Sequence, residues 1–499
     1  MVSIALYKNV LKQALTANAS SLLISTMSEP RTELIYHHID SMNITKYNHF
    51  VYKSASHPRP TLVTWQSLRH HSSLVSRHPD ASSEHHQKQQ QSHLHRISTV
   101  NLLRNIFLGK VFTSPFLFKY GVACLSKIAN SRSAILDPDK NAVLRALIKP
   151  MIYDHFCAGT NKLEIKKTLD YLKTMGFEGV ILIYSREIPA MPVEALNELE
   201  PLTQDEDIDI WRDGNVKTLD MVEPGDYVGI KFTGAGPRVA QALAKDRDPP
   251  QQLLDAMSAI CERAAAQGSR VWIDAEQQVF QPTIDRWTVD MMRRFNTNGQ
   301  ALVSLTLQAY LKSARSTVEN LLQQAHTENW TLGIKLVRGA YIGSENRTLI
   351  HDTKIQTDGC YDSIAADLLT KSFPGFGKQD FPNVELFLAG HNSESIRKAY
   401  TLYKGLLQKG ETPSPIKFGQ LLGMADDISC ELLAMGEKAG KQADKDASAP
   451  MVYKCMNWGS VRECMHYLVR RATENQSAAS RMESTVGVMQ KELRRRMGF

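Results

Sequence analysis

From about residue 151 onward, short apolar runs alternate with longer stretches in which apolar positions recur every three or four residues. A short apolar block suits a strand buried on both faces, and a sustained three-to-four spacing suits an amphipathic helix. On this basis strands are predicted over residues 152–157, 179–184, 227–233, 270–274, 302–308, 333–337, 385–389 and 416–420. Helices are predicted over 164–175, 251–267, 283–295, 318–329, 393–408, 426–439 and 461–475. Parallel strands need a crossover between them, so strand–helix units in series predict a closed (β/α)8 TIM-type barrel over residues 151–475.

The flanks read differently. Residues 1–99 are rich in Ser, His and Gln and are expected to stay outside the packed body. No acid occurs in residues 1–28, while Lys8, Lys12 and the apolar Ile4, Leu6, Val10, Leu11 and Leu15 fall at roughly helical spacing, the pattern of a mitochondrial transit peptide. The histidines of this leader, including His70, His71, His85, His86, His93 and His95, have no fixed fold to set a ligand geometry and read as linker, so no metal site is expected. A helical arm is predicted over 100–150, with helices at 101–111 and 141–149, the second opened by the turn Asp137-Pro138-Asp139. Residues 476–499 form a predicted helical tail ending in the basic run Arg494-Arg495-Arg496, a solvated helix end or a membrane contact. The long stretch 186–226, with its acidic run Asp205 to Asp209, is expected to be a variable excursion with a solvated face.

Bulk chemistry narrows the class. Hydrophobic residues make up 42% and charged residues 22%, enough for a large core. The excess of Lys and Arg over Asp and Glu, 59 − 52 = 7, suits an anionic ligand or membrane surface and gives no sign of nucleic-acid binding. Seven cysteines without a Cys-x-x-Cys pair read as reduced thiols. The most apolar stretch, 106–118, is interrupted by Lys110, Ser114 and Pro115, so any membrane contact is expected to be peripheral.

In a parallel barrel the reactive groups gather where strands end, since that rim alone faces one pocket. The predicted strand ends carry Lys231, Asp274, Glu276, Gln308, Lys335, Arg338, His391, Asn392 and Gln420. Any one of these is as readily a hydrogen-bonded barrel plug; their accumulation points to a site. The helix after the last strand carries Tyr467, Arg470, Arg471 and Glu474 on neighbouring positions. Two planar guanidinium forks suit a carboxylate, and a surface pair tied by Glu474 explains the same spacing. Gly234-Ala235-Gly236 imitates the start of a dinucleotide fingerprint, but Pro237 and Val239 stand where the phosphate turn and the third small residue belong.

Read together, the segments Phe156-Cys-Ala-Gly159, Ile230-Lys-Phe-Thr233, Ile273-Asp-Ala-Glu-Gln277, Gln308-Ala-Tyr310, Ile334-Lys-Leu-Val-Arg-Gly-Ala-Tyr341, Ala389-Gly-His-Asn392, Gly419-Gln-Leu-Leu-Gly-Met424 and Tyr467-Leu-Val-Arg-Arg471 resemble the proline dehydrogenase family, including a pre-barrel segment like that of fungal members. The resemblance spans residues 100–475. It implies a mitochondrial flavoenzyme that oxidises L-proline to Δ1-pyrroline-5-carboxylate by hydride transfer to FAD and passes electrons to a membrane quinone, on the matrix side of the inner membrane.

Carried across residue by residue, the resemblance implies that Gln308, Lys335, Val337, Arg338, Gly339, Ala340, Tyr341, His391, Asn392 and Gln420 line the FAD. It assigns Arg470 and Arg471 to the substrate carboxylate, with Lys231, Asp274 and Tyr467 beside it and Glu474 supporting the arginine helix. Lys335 replaces an arginine common in bacterial members, which makes its contact a point charge. Cys455 stands where most members place a tyrosine against the substrate ring, so hydroxyproline is the alternative substrate. A Schiff-base lyase or aldolase using Lys335 or Lys231, and a non-catalytic proline-binding barrel, are the readings from other classes.

Overall fold

The chain divides into two units, Met1–His85 and His86–Phe499. A computed structural model describes residues 92–186, 196, 199–200, 202–343, 345–440, 449–477 and 479–498. The expected transit helix and His70, His71, His85 and His86 lie outside the described residues.

The arm consists of α1 (Thr99–Thr113), α2 (Pro115–Asn130) and α3 (Ala142–Ile148). Ser98 caps α1 through its side chain, Pro115 opens α2 at the first turn, and Asn141 caps α3. After α4 (Lys162–Met175) come β1 (Gly179–Tyr184), α5 (Glu206–Leu219), β2 (Tyr227–Ile230), α6 (Pro237–Ala244), α7 (Gln251–Gln267) and β3 (Arg270–Ile273). Then follow α8 (Gln281–Phe295), β4 (Val303–Gln308), α9 (Ala314–Glu328), β5 (Leu332–Val337), α10 (Lys354–Thr370), β6 (Val384–Ala389), α11 (Ser393–Gln408), β7 (Ile416–Leu421) and α12 (Asp426–Gly440). The chain finishes with β8 (Met451–Trp458), α13 (Met465–Ser477) and α14 (Ala479–Arg496). All strand pairs are parallel, and β8 closes on β1 with Ile181 opposite Cys455, giving the (β/α)8 barrel.

Two strand expectations need correction. Residues 152–156 are helical, as a π-turn over Lys149–Tyr153 followed by Asp154–Phe156, and Cys157 alone is extended, touching the sheet through a single bridge to Asn457. The closing strand is β8, which the apolar pattern overlooked because Lys454 and Asn457 interrupt it. Lys454 is buried all the same, its ammonium donating to Asp426 at 2.7 Å. The remaining expected strands therefore each move one place earlier in the barrel.

Ile181, Ile183, Tyr227, Trp272, Phe387, Tyr453 and Cys455 cluster inside the barrel, while the alternate residues pack outward under the helices. Gly229 and Gly419 leave room for the rings, since a Cβ at either would fall 2.5 Å from Trp272 and Phe387 respectively. At the N-terminal end of the barrel, Glu385 accepts from Arg270 at 2.6 Å and from Lys417 at 3.2 Å; these charges plug the floor, away from the rim.

The excursion at 186–226 contains α5, and its acidic run is a helix start. Asp205 is the N-cap and is buried, which departs from the solvated face expected of it. Leu94 and Ile97, within the expected leader, are buried. The basic tail is a clasp: Arg495 and Arg496 both donate to Glu492, and Arg496 also donates to the carbonyls of Leu94 at 3.0 Å and Ile97 at 2.8 Å.

Candidate active site

The C-terminal rim draws its polar groups from successive strands. Lys335 points inward from β5, with Nζ 3.8 Å from the centroid of the Trp272 ring below it. The same ammonium donates to Asp274, just past β3, at 2.6 Å, with both side chains nearly buried. Cys455 faces them from β8. Burial pushes its thiol up to about 12, and the charges that act on it are Lys335, Asp274, Arg471 and Lys231. Lys231 and Asp274, which directly follow β2 and β3, Lys335 of β5 and Arg471 of α13 thus all act electrostatically on the one buried thiol, although the chain separates them widely.

Helix α13 is held over this mouth by an apolar layer in which Leu108, Phe112, Phe118, Leu125 and Ile128 of α1 and α2 meet Met465, Leu468 and Ala472. Tyr467 lies in that layer and its hydroxyl donates to the Phe156 carbonyl at 3.4 Å. One turn later, Arg471 is buried with its guanidinium 5.2 Å from the Tyr467 ring centroid. Arg470 is half-buried. The helix also contains Glu474, whose side chain lies outside the described residues.

Gln308, at the end of β4, is buried and its Oε1 has no hydrogen-bond partner among the described residues; the same holds for Nε2 of Gln420 on β7. Ser429 fixes the amide of Gln420 by donating to its Oε1 at 2.8 Å. Orphaned buried polar atoms cost about 1–3 kcal/mol each unless water or a ligand meets them. His391 accepts from the Leu421 amide at 3.2 Å, bridging the ends of β6 and β7.

Other expected residues carry local structure. Arg338 donates to Asp358 and Ser395, both at 2.7 Å, and lies over the Tyr361 ring, so its guanidinium ties the loop after β5 to α10 and α11. Asn392 caps α11, accepting from Glu394 at 3.0 Å and Ser395 at 3.3 Å. The Val337 carbonyl accepts from Ala309 at 2.8 Å. Gly339 has φ +139°, and a Cβ there would meet the Tyr310 ring at 2.5 Å. Ala340 is exposed, and Tyr341 donates to the Ala275 carbonyl at 3.3 Å.

Two rim features escaped the sequence reading. Lys454 donates to the Met424 carbonyl at 3.1 Å besides Asp426, which pins the loop beyond Gln420. Tyr184 donates to Glu463 at 3.0 Å, joining the end of β1 to the approach to α13. An isolated lysine in an apolar run was the available signal for the first, and nothing in the local pattern marks the second. Glu276, named as a strand end, is buried; it accepts from the Thr233 amide at 3.1 Å and from the Thr233 hydroxyl, and burial raises its pKa.

The family profile described as proline dehydrogenase matches residues 165–484. A Schizosaccharomyces pombe protein named probable proline dehydrogenase, mitochondrial, is 27% identical over 80% of this chain and 89% of its own length. Rat hydroxyproline dehydrogenase is 24% identical over 88% of this chain and 97% of its own length. Human proline dehydrogenase 1, mitochondrial, is 34% identical over 45% of this chain, the match spanning 36% of the human protein. Among solved structures, proline utilization A from Bdellovibrio bacteriovorus, inactivated by N-propargylglycine, shares the fold with a TM-score of 0.55 and 16% identity, over 73% of this chain and 38% of that one. With the profile covering well over half of its length, the chain belongs to the proline dehydrogenase family.

Proposed function

We propose that the barrel mouth oxidises L-proline to Δ1-pyrroline-5-carboxylate with FAD as the hydride acceptor. The observation that carries this is the nearly buried Lys335–Asp274 pair, 2.6 Å apart at the mouth of a barrel whose following helix carries the buried Arg471. A buried guanidinium beside a cationic rim suits a small carboxylate, and fixing that carboxylate aims the ring carbon next to nitrogen.

The residues present fit the cofactor. Gln308 and Gln420 present one buried acceptor and one buried donor with no partner among the described residues, as a ligand carrying both kinds of group needs. In this reading Gln308, Lys335, Val337, Arg338, Gly339, Ala340, Tyr341, His391, Asn392 and Gln420 hold FAD, which when bound supplies a two-electron acceptor. Arg338 and Asn392 contribute by fixing their loops. Arg470, Arg471 and Lys231 hold the substrate carboxylate, Tyr467 and Glu474 support the arginine helix, and Asp274 orients Lys335. The substrate amine must be neutral to release hydride, and the cations around the carboxylate favour loss of its proton.

Electrons then pass to a membrane quinone, and the protein works in the mitochondrion at the inner membrane, in keeping with relatives named as mitochondrial. Anaerobic addition of L-proline to the purified yellow protein should bleach its flavin absorbance. A folded preparation that takes up no FAD, or whose spectrum ignores proline, overturns the reading.

Hydroxyproline oxidation is the second reading, favoured by the small side chain of Cys455 on the barrel wall. The ratio of kcat/KM for L-proline and trans-4-hydroxy-L-proline decides between them. A Schiff-base role for Lys335 is disfavoured because Asp274 already occupies its ammonium.

A further inference from the structure

The arm has two unlike faces. Inward residues of α1 and α2 join the apolar layer over α13, and α1 also packs along α14. The outward face of α1 carries Val100, Leu103, Phe107 and Lys110 at successive three- and four-residue steps, all exposed. That of α2 carries Phe116, Leu117, Lys119, Tyr120 and Lys127; Phe116 is 68% exposed and its ring centroid lies 4.6 Å from that of Tyr120. Large aromatic side chains gathered in water carry a free-energy cost that a monomer surface rarely concentrates.

Charge says what covers this face. From Ser92 to Leu136 there is no Asp or Glu, while Arg104, Lys110, Lys119, Lys127 and Arg132 are cationic; Arg96 is turned inward and paired with Glu437. A protein partner large enough to cover so uniform a field would have to be acidic and apolar together. An anionic lipid leaflet combines those properties over a plane. Neither helix is long and apolar enough to cross a bilayer, and among the described residues no helix is. Short amphipathic helices with aromatic residues between lysines lie in the headgroup region, the lysine stems reaching outward.

We propose that the outer face of the α1–α2 hairpin docks on an anionic membrane surface. This deepens the reading of a membrane quinone as electron acceptor and rests on it. The hairpin's other face packs on α13, so docking brings the helix of Arg470 and Arg471, and with it the barrel mouth, to within one helix layer of the lipid in which an apolar quinone dissolves.

Flotation of the full-length FAD-loaded protein tests this, using phosphatidylcholine vesicles with and without phosphatidylserine. Wild type should float with the mixed vesicles and stay behind with the neutral ones, and added salt should release it. Lys110→Ala/Lys119→Ala/Lys127→Ala should weaken binding by roughly 100-fold, about a factor of five per lysine. Phe107→Ser/Phe116→Ser should weaken it by roughly tenfold or more. Proline oxidation with a soluble dye as acceptor should be unchanged in both variants.

Wild type that ignores phosphatidylserine, or variants that float as well as wild type, overturns the proposal. So does loss of a dimer in sedimentation velocity with no vesicle binding at all, which would assign the face to a second copy of the chain. Vesicle binding without any dye-linked oxidation would leave the docking surface standing and remove the enzymatic reading instead.

Discussion

Lys335 and Asp274 meet across the barrel mouth at 2.6 Å, from strands β5 and β3 that do not pair with each other. The contact is therefore a product of barrel curvature. Removing one partner of a nearly buried ion pair leaves the other uncompensated, at a cost of about 3–5 kcal/mol, more than the pair itself contributes. Lys335→Met should lower the midpoint of urea unfolding accordingly, and the double variant Lys335→Met/Asp274→Leu should recover most of the loss. Equal stability of Lys335→Met and wild type would show that the pair does not form.

Arg471 is buried beside Tyr467, and its proposed partner is the substrate. Truncating a desolvated, hydrogen-bonded charge costs roughly 2–5 kcal/mol. Arg471→Met should reduce kcat/KM for proline by about a hundredfold or more while the flavin spectrum and FAD content stay as in wild type. Arg470→Met, at a half-buried position, should show the same pattern with a smaller loss. Unchanged proline kinetics in both would remove α13 from the substrate site.

Cys455 is buried on the barrel wall, beside Ile181 of the neighbouring strand. With its thiol pushed up to about 12 by burial, it should resist iodoacetamide at pH 8 while exposed Cys124 is alkylated, which peptide mass spectrometry reads directly. Cys455→Tyr should narrow the space above Ile181 and shift the kcat/KM ratio toward proline over hydroxyproline. A ratio indifferent to this change would place the ring of the substrate elsewhere.

His155 gives a pH signature in stability. It is buried, and burial lowers its pKa from 6.5 to about 4. The unfolded chain therefore binds a proton that the folded chain refuses, so the stabilisation is complete above about pH 6.5 and is lost as pH falls toward 4. The size is roughly 3 kcal/mol at one pKa unit per 1.4 kcal/mol. His155→Gln should flatten the unfolding free energy between pH 7 and pH 4 relative to wild type; parallel profiles for the two proteins would contradict it.

The alternation of apolar runs and amphipathic stretches determined the barrel class and placed Lys231, Asp274, Gln308 and Lys335 at strand ends, because strand and helix periodicity are local properties of the chain. The resemblance of those ends to one family was legible for the same reason, as each motif is a short contiguous string. Three-dimensional packing decided the rest. Residues 152–157 have the apolar density of a strand, yet 152–156 coil into a helical turn against α13, while 451–458, broken by Lys454, closes the sheet. Closure requires Cys455 to sit opposite Ile181 and Asp426 to meet the Lys454 ammonium, and neither partner is near in sequence. A side chain's tolerance for burial depends on what stands beside it, and for these residues that neighbour exists only once the barrel has closed.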